Sequence, residues 1–359
     1  MVLLLKVNMT WLRHLAAITE LPFLHEQDYK PWKKPTVLVA GYGWATHAFV
    51  ERLSKKYYNV TVISERTCRL NQNTMIGSLA ASYTPAHVNV TKDTCQSVDF
   101  DAKRLGCIKC FYDYDYLVVA TGSEAHDFDI PGVRTNCMMC KTGEDVAAIR
   151  RRVEDGVPSA IVLGGGPTGV ELACSIHERG VADIQIVEGA ATLLPGFSEA
   201  FRAAVVGNLA AKGIRVHLDA AIREVTAAGV VTKGGVLPFA PAATLVAWTC
   251  GVRPVEFVRS LGDGRGGLVV NDQLEYKPGV FVLGDACKNK GPATAQNAKS
   301  QGYYLAELFN SGFRDETPYT FKELGRCLNL GDGYLIEVWG VLCFVPNVKW
   351  QDMAWIASV

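Results

Sequence analysis

The chain alternates between short, almost purely apolar runs and longer segments in which apolar residues recur at helical spacing. The two clearest runs are "VLVA" (Val37–Ala40) and "AIVL" (Ala160–Leu163), and glycines follow each of them at once. A strand buried on both faces of a parallel sheet has this composition, and the helix after it crosses back over the sheet. The pattern therefore predicts an α/β protein built from doubly wound parallel sheets.

The turn after the second run is a complete dinucleotide-binding fingerprint. Gly164, Gly166 and Gly169 form G-x-G-x-x-G between the predicted strand and helix. The first glycine allows a tight turn, the second lets the backbone approach a pyrophosphate, and the third lets helix and strand pack closely. The next predicted strand ends at Glu188, whose carboxylate suits a free ribose 2′-hydroxyl and repels a 2′-phosphate. These residues predict an NADH-binding domain.

The turn after the first run repeats the fingerprint less completely. Gly41 and Gly43 match the first two glycines, and Glu65 matches the ribose acid in its distance from the first glycine. Thr46 occupies the position of the third glycine. A β-branched side chain there is expected to push the helix from the strand by roughly a methyl's width, which weakens phosphate contact without forbidding it. The sequence thus predicts a second dinucleotide-binding domain.

Later segments supply strands that complete the two sheets. "YDYLVVATGSE" and "ATLVAWTCGVRP" each run from an apolar strand into a glycine, and "GVFVLGDAC" predicts a last strand that returns to the first sheet. At the end of that strand, Asp285 is expected to face the ribityl chain or pyrophosphate of a cofactor. Further candidate cofactor contacts in these segments and in the helix that follows are Ala120, Thr121, Gly122, Gly251, Gly284, Ala295 and Gln296.

Composition narrows the class of partner. The formal net charge is zero, so the charge balance does not indicate a nucleic-acid partner. Eleven cysteines lack the dense spacing of a secreted disulfide scaffold, which favours a reducing compartment. No stretch approaches the ~20 uninterrupted apolar residues of a membrane-spanning helix; the nearest, Gly333–Pro346, is interrupted by Glu337.

The opening segment, "MVLLLKVNMTWLRHLAAIT", contains basic residues and no acidic one. Its apolar residues Leu4, Val7, Trp11 and Leu15 would share one helical face. This pattern is typical of a mitochondrial presequence. The alternative is an N-terminal helix that packs on the protein or on a partner.

Two Cys-x-x-Cys pairs, Cys107–Cys110 and Cys137–Cys140, raise the question of zinc. Four thiolates at such spacing bind zinc tetrahedrally when each pair caps a turn. The first pair, however, lies among predicted meander strands, where residues three apart point to opposite faces, and no glycine follows either pair. Ordinary thiols are therefore favoured and no metal site is predicted, with zinc remaining the alternative.

In order along the chain, these segments resemble type II NADH dehydrogenases, the single-chain, non-pumping NADH:quinone oxidoreductases of mitochondria and bacteria. The most specific stretches are "GGGPTGVELA", "CGVRP", "RGGLVVNDQLEYKPGVFVLGDAC" and "ATAQNAKSQGYYLAELFN". The opening "GYGWATHAF" is similar to the mitochondrial members in particular. The resemblance therefore implies a mitochondrial location.

The resemblance implies that FAD binds in the first domain and NADH in the second, and that hydride passes from NADH to FAD. Reduced flavin would then reduce quinone at a membrane-facing tunnel. Glu171 would lie close to the nicotinamide and flavin rings; the alternative is an acid at the helix start that complements the helix dipole. No cysteine pair lies on the helix after the first glycine turn, so no redox-active disulfide is expected.

The same resemblance implies the domain organisation, in which an NADH domain is inserted in an FAD domain. The FAD domain comprises residues 36–140 and 270–320, and the NADH domain comprises residues 141–268. An N-terminal arm covers residues 1–35, and a short, truncated C-terminal α+β segment covers residues 321–359.

The sequence also departs from the family on the flavin and quinone side. In "SERTCRLNQNTMIGSL" (Ser64–Leu79), Arg69 stands where an aromatic residue is expected, and Asn71–Asn73 replaces a Phe-Thr-Pro that lines the quinone pocket. Ser300 stands where the family usually has a glutamine, and the chain is expected to lack the amphipathic helices that dock family members on the bilayer. A polar, open pocket holds an isoprenoid quinone poorly.

Two functions therefore compete. In the first, the protein is an NADH-oxidising FAD-dependent oxidoreductase whose electron acceptor is uncertain. In the second, it is a non-catalytic structural or assembly subunit of a larger mitochondrial complex, with the altered segments as surfaces for protein partners.

Overall fold

The structure, a computed structural model, describes residues 34–346 except 80–82, 87, 265 and 316. The predicted presequence-like helix and the last part of the predicted C-terminal segment, residues 347–359, lie outside the described residues. The described part contains eight α-helices: α1 (Trp44–Arg52), α2 (Gln72–Ser78), α3 (Val133–Asn136), α4 (Gly143–Glu154), α5 (Pro167–His177), α6 (Glu199–Ala211), α7 (Glu256–Leu261) and α8 (Ala295–Asn310).

The same residues form short strands. They are β1 (Thr36–Ala40), β2 (Asn59–Ser64), β3 (Cys68–Leu70), β4 (Tyr83–Pro85), β5 (Val90–Lys92), β6 (Cys95–Asp99), β7 (Arg104–Cys107), β8 (Phe111–Asp113), β9 (Tyr116–Val119), β10 (Ser123–Ala125), β11 (Met138–Met139), β12 (Ser159–Leu163), β13 (Asp183–Val187), β14 (Arg215–His217), β15 (Ile222–Val225), β16 (Gly229–Thr232), β17 (Gly235–Pro238), β18 (Thr244–Trp248), β19 (Val252–Pro254), β20 (Glu275–Lys277), β21 (Val280–Val282), β22 (Arg326–Asn329), β23 (Gly333–Val338) and β24 (Val341–Pro346).

The first central sheet has the strand order β20-β21-β9-β1-β2-β5. All its neighbours are parallel except the pair β20–β21. Ala40 at the end of β1 pairs with Ile63 on one side and Val119 on the other, so the strand ends align at one edge. Gly302 of α8 lies so close to α1 that a Cβ there would be 2.3 Å from the Ala45 carbonyl oxygen.

The second central sheet, β11-β18-β12-β13-β14, is parallel throughout. Leu163, at the end of its middle strand, pairs with Val187 and Trp248. The strands β12 and β18 are almost fully buried, as their apolar runs predict. The predicted class, two doubly wound dinucleotide-binding domains, is confirmed, while the domain boundaries stay predictions.

Small antiparallel sheets surround the two central ones. They are β3-β4, β6-β7-β8, β10-β19, β15-β16-β17 and β22-β23-β24. The pair β10–β19 connects the two halves, because β10 follows β9 of the first central sheet and β19 follows β18 of the second. Between these strands, Arg253 Nε lies 2.8 Å from Glu124 Oε1. The described part of the C-terminal segment is the sheet β22-β23-β24.

The segment Ser64–Leu79 joins the two halves on the other side. Its helix α2 packs on α5, and Ser175 Oγ donates a hydrogen bond to the carbonyl of Gly77 at 2.6 Å. Met75 and Leu79 are buried in the core of the second half. The apolar residues of this segment therefore hold the halves together.

Candidate functional site

The site consists of two glycine turns with their flanking strand and helix, which we call the first cradle (residues 36–52) and the second cradle (residues 159–177). In the second cradle, Gly164 has a φ of +109°, which glycine adopts without strain. A Cβ on Gly169 would lie 1.9 Å from the carbonyl oxygen of Gly164, whereas a Cβ on Gly166 would meet nothing within 4 Å. Gly169 thus allows the helix to pack closely on the turn, and Gly166 leaves the backbone open to a ligand.

Glu188 lies at the mouth of the second cradle. Its Oε2 accepts a hydrogen bond from the backbone N–H of Gly165 at 2.6 Å, and its Oε1 accepts one from Ala190 at 2.7 Å. The two N–H groups fix the carboxylate beside the glycine turn. This is the place that a ribose-binding acid takes in a dinucleotide-binding domain.

The first cradle has the same open backbone and a different helix contact. Gly41 has a φ of +98°, and a Cβ there would lie 2.5 Å from the Ala120 carbonyl oxygen; a Cβ on Gly43 would meet nothing within 4 Å. Thr46 is completely buried, and its Oγ1 donates a hydrogen bond to the Gly41 carbonyl at 2.9 Å. The threonine is accommodated by a hydrogen bond at the point where the second cradle requires glycine.

Other predicted residues of the first half line the ends of its strands. Thr121 lies directly beneath the turn, with its Cα 2.7 Å from where a Gly41 Cβ would be. Its Oγ1 is buried and has no hydrogen-bond partner among the described residues. Gly122 follows with a φ of +74°, and Glu65 is exposed just beyond the end of β2.

A partly buried polar cluster lies where the two halves meet. Ser123 Oγ donates a hydrogen bond to Asp285 Oδ2 at 2.5 Å, and Lys141 Nζ lies 3.0 Å from Ser123 Oγ and 3.9 Å from Asp285 Oδ2. Burial lowers the pKa of Lys141, and the charge of Asp285 opposes that effect. Lys141 was not predicted as a site residue from the sequence. The only sequence feature that marks it is that a basic residue follows the apolar stretch of β11.

The remaining predicted contacts are held by neighbouring segments. The N–H of Gly284 donates to Gln301 Oε1 at 2.6 Å, and Ala295 is the first residue of α8. Gln296 Oε1 accepts a hydrogen bond from the backbone of Leu324 at 3.3 Å. Gly251 has a φ of +57°, and a Cβ there would lie 2.6 Å from the ring of Phe128, so that ring covers Gly251 in this structure.

Glu171 lies on α5 where α2 and β22 pack against it. Its Oε1 accepts a hydrogen bond from the backbone N–H of Asn329 at 3.0 Å. Burial raises the pKa of Glu171 to about 8, although the Asn329 hydrogen bond opposes the shift. The helix begins at Pro167, so Glu171 is beyond the first turn, where the helix dipole acts most strongly. Near neutral pH this carboxyl group holds a proton.

Comparison with known proteins places the chain in a family. Residues 35–302 match the family model of the pyridine nucleotide-disulphide oxidoreductases. The chain belongs to that family. The family's pyridine nucleotide chemistry agrees with the NADH-binding fingerprint that the sequence predicts.

Curated relatives confirm the resemblance to type II NADH dehydrogenases. The external alternative NAD(P)H-ubiquinone oxidoreductase B2 of Arabidopsis thaliana mitochondria is 27% identical over 70% of this chain and 54% of its own length. The external NADH-ubiquinone oxidoreductase 2 of Saccharomyces cerevisiae mitochondria is 25% identical over 79% of this chain and 64% of its own length. The chain thus spans between about half and two thirds of the length of these relatives.

Solved structures share the fold. NDH2 of Plasmodium falciparum, in complex with NADH, superposes with a TM-score of 0.80 at 17% identity and covers 91% of this chain and 95% of its own. A ferredoxin reductase of Rhodopseudomonas palustris superposes with a TM-score of 0.73 at 22% identity, covering 84% and 82%. At these identities the similarity establishes the architecture.

The cysteines of this chain are free thiols. Cys107 ends β7 and Cys110 lies in the following turn, whereas Cys137 and Cys140 flank β11. Burial raises the pKa of both Cys137 and Cys140 to about 12, which makes them poor nucleophiles. Among the described residues, no group of three or more His, Cys, Asp or Glu side chains could hold a metal ion.

Within the part of the chain that the structure describes, no helix has the length and apolar character that crossing a membrane requires.

Proposed function

We propose that this protein is an FAD-dependent oxidoreductase that oxidises NADH, of the type II NADH dehydrogenase kind. The observation that carries the proposal is the cluster of Ser123, Lys141 and Asp285. In it, Ser123 and Asp285, at strand ends of the first predicted domain, contact Lys141 at the start of the second. Ligands of α/β sheets bind at the carboxyl ends of the strands. Two dinucleotides bound there would meet at this cluster.

The residues of the first cradle fit the flavin nucleotide. Gly43 leaves space for a pyrophosphate to approach the backbone, and the unpaired hydroxyl of Thr121 offers a hydrogen bond from beneath the turn. The exposed carboxylate of Glu65 would hold the adenosine ribose. When bound, FAD supplies a ring that accepts hydride from NADH and passes the electrons to an acceptor.

The residues of the second cradle and of the domain boundary perform the rest. Gly166 admits the NADH pyrophosphate, and Glu188 accepts hydrogen bonds from the ribose hydroxyls and disfavours NADPH. Lys141 supplies a partly buried positive charge that stabilises negative charge developing nearby. Glu171, protonated near neutral pH, can release or take up a proton at its carboxyl group.

The electron acceptor is proposed to be other than a long-chain quinone. Arg69 and Asn71 are joined through Thr84 by two hydrogen bonds of 3.1 Å, and they place polar groups in the segment that the family resemblance implies would line a quinone pocket. Because the curated relatives are named as mitochondrial proteins, we place this protein in mitochondria as well.

The proposal is tested by following NADH oxidation in the FAD-loaded protein with ferricyanide, a short-chain quinone and oxygen as acceptors. The variant Gly166→Val fills the open side of the second cradle and should abolish the activity. The matched control is Gly207→Val on the exposed side of α6, where a Cβ would also meet nothing within 4 Å. If the FAD-loaded protein oxidises NADH with none of the acceptors, the proposal is wrong and the structural-subunit alternative is favoured.

A further inference from the structure

A stacked pair of side chains lies beside the first cradle. The guanidinium carbon of Arg69 lies 3.7 Å from the centre of the Trp44 ring. Arg69 is only 8% exposed. Trp44 is the first residue of α1 and directly follows Gly43. The stack therefore lies at the start of α1, directly after the glycine turn of the first cradle.

The stack contains buried donors that lack acceptors. Nε and Nη1 of Arg69 and Nε1 of Trp44 are buried and have no hydrogen-bond partner among the described residues. The remaining nitrogen, Nη2 of Arg69, donates to Thr84 Oγ1 at 3.1 Å, and Thr84 donates to Asn71 Oδ1 at 3.1 Å. These bonds fix the guanidinium while two of its nitrogens stay unpaired. Unpaired buried donors are costly, most of all on a charged group, so an anion with several acceptor oxygens would stabilise this arrangement.

The charges around the stack also suit an anion. Lys299 of α8 lies within electrostatic reach of Arg69, and Glu51 is the carboxylate that acts on both. Glu51 Oε2 already accepts a hydrogen bond from the hydroxyl of Tyr303 at 3.0 Å. Arg52 is a further cation that acts on Lys299, and charges in such a partly buried setting are felt more strongly than in water.

The backbone at the same place offers further donors. Helix α1 has nine residues, and no side chain caps its N-terminus. The first N–H groups of a helix and the helix dipole attract phosphate groups. The unpaired donors of Arg69 and Trp44 are an independent sign of a ligand at this helix start.

We propose that Arg69 and Trp44 form an anion site that binds a phosphate of the dinucleotide held in the first cradle. The proposal rests on the proposed function, because FAD is the dinucleotide expected there. It assigns a role to Arg69, which replaces the aromatic residue expected from the family resemblance. The extra charge-assisted contact offsets the looser helix packing that Thr46 imposes on this cradle.

The test compares ligand binding by apoprotein variants, followed by flavin fluorescence and calorimetry. Arg69→Met keeps most of the side-chain volume and removes the charge and the donors. We expect it to weaken FAD binding about 10- to 100-fold, the effect of losing one or two charge-assisted hydrogen bonds. Binding of riboflavin, which has no phosphate, should change less than about twofold. Arg104→Met, which removes an exposed arginine paired with Asp113, should leave FAD binding unchanged.

Stability without ligand separates binding from a structural role. If Arg69 serves a ligand, the Arg69→Met apoprotein should be as stable to urea as the wild type or more stable, because an unpaired buried cation is removed. If the stack on Trp44 is only structural, the variant should unfold at lower urea concentration.

Besides such a loss of stability, three results would overturn the inference. One is FAD binding that is equal in the wild type and Arg69→Met, which leaves the proposed function intact. Another is inorganic phosphate that binds through Arg69 while FAD affinity stays unchanged, which would assign the site to a free anion. The third is a wild-type apoprotein that does not bind FAD, which would overturn the proposed function together with the inference.

Discussion

Thr46 Oγ1 donates a hydrogen bond to the carbonyl oxygen of Gly41 at 2.9 Å. At the equivalent point of the second cradle, a Cβ on Gly169 would collide with the carbonyl oxygen of Gly164 at 1.9 Å. The two cradles therefore share a turn and differ in how closely the helix approaches it. The first retains the open backbone at Gly43, which is the feature that phosphate binding needs most.

Thr46→Val should destabilise the protein by about 1 kcal/mol, the typical net value of a buried hydrogen bond. The shape of the side chain is kept, but the Gly41 carbonyl loses its hydroxyl partner. Urea denaturation measures the change, and Thr46→Ser, which keeps the hydroxyl, serves as the control. Equal stability of the valine variant and the wild type would show that the bond contributes nothing.

Glu188→Gln should raise the KM for NADH about tenfold and narrow the preference for NADH over NADPH. The amide presents one N–H₂ group to a site where two backbone N–H groups need acceptors, and it no longer repels a 2′-phosphate. Steady-state kinetics with both nucleotides measure the effect, with the exposed Glu199→Gln as control. An unchanged ratio of kcat/KM values would contradict the assignment of Glu188 to the ribose.

Glu171 should make the protein less stable as the pH rises. Its folded pKa of about 8 lies above its ordinary value, so the folded state binds more protons than the unfolded state between those two values. Its contribution is fully present below the ordinary pKa and is lost as the pH rises through about 8. Urea denaturation at several pH values should show a weaker decline for Glu171→Gln than for the wild type; parallel pH profiles would be the opposite result.

Lys141→Met should lower kcat about tenfold or more with little change in the KM for NADH. The substitution removes the partly buried charge beside Ser123 and Asp285, which is proposed to stabilise charge that develops during electron transfer. Lys141→Arg, which keeps the charge, should retain more activity than the methionine variant. A larger effect on KM than on kcat would assign Lys141 to nucleotide binding instead.

The sequence predicted the features that depend on local turn chemistry. Gly41, Gly164 and Glu188 follow directly from buried strands, and their roles can be read from neighbouring residues. The cluster around Lys141 could not be predicted in this way, because Ser123 and Asp285 are 162 residues apart in sequence. The stack of Arg69 on Trp44 depends likewise on how β3 returns beside α1. Polar segments without periodicity, such as 64–74, give no signal of where they pack.

Flavin binding and hydride transfer are tested most directly by a visible absorption spectrum of the purified protein, recorded after incubation with FAD and again after anaerobic addition of NADH. We predict a bound flavin band that persists through gel filtration and bleaches when NADH is added. No retained flavin, even after incubation with excess FAD, would contradict it and would show that the first cradle keeps only the shape of a nucleotide site.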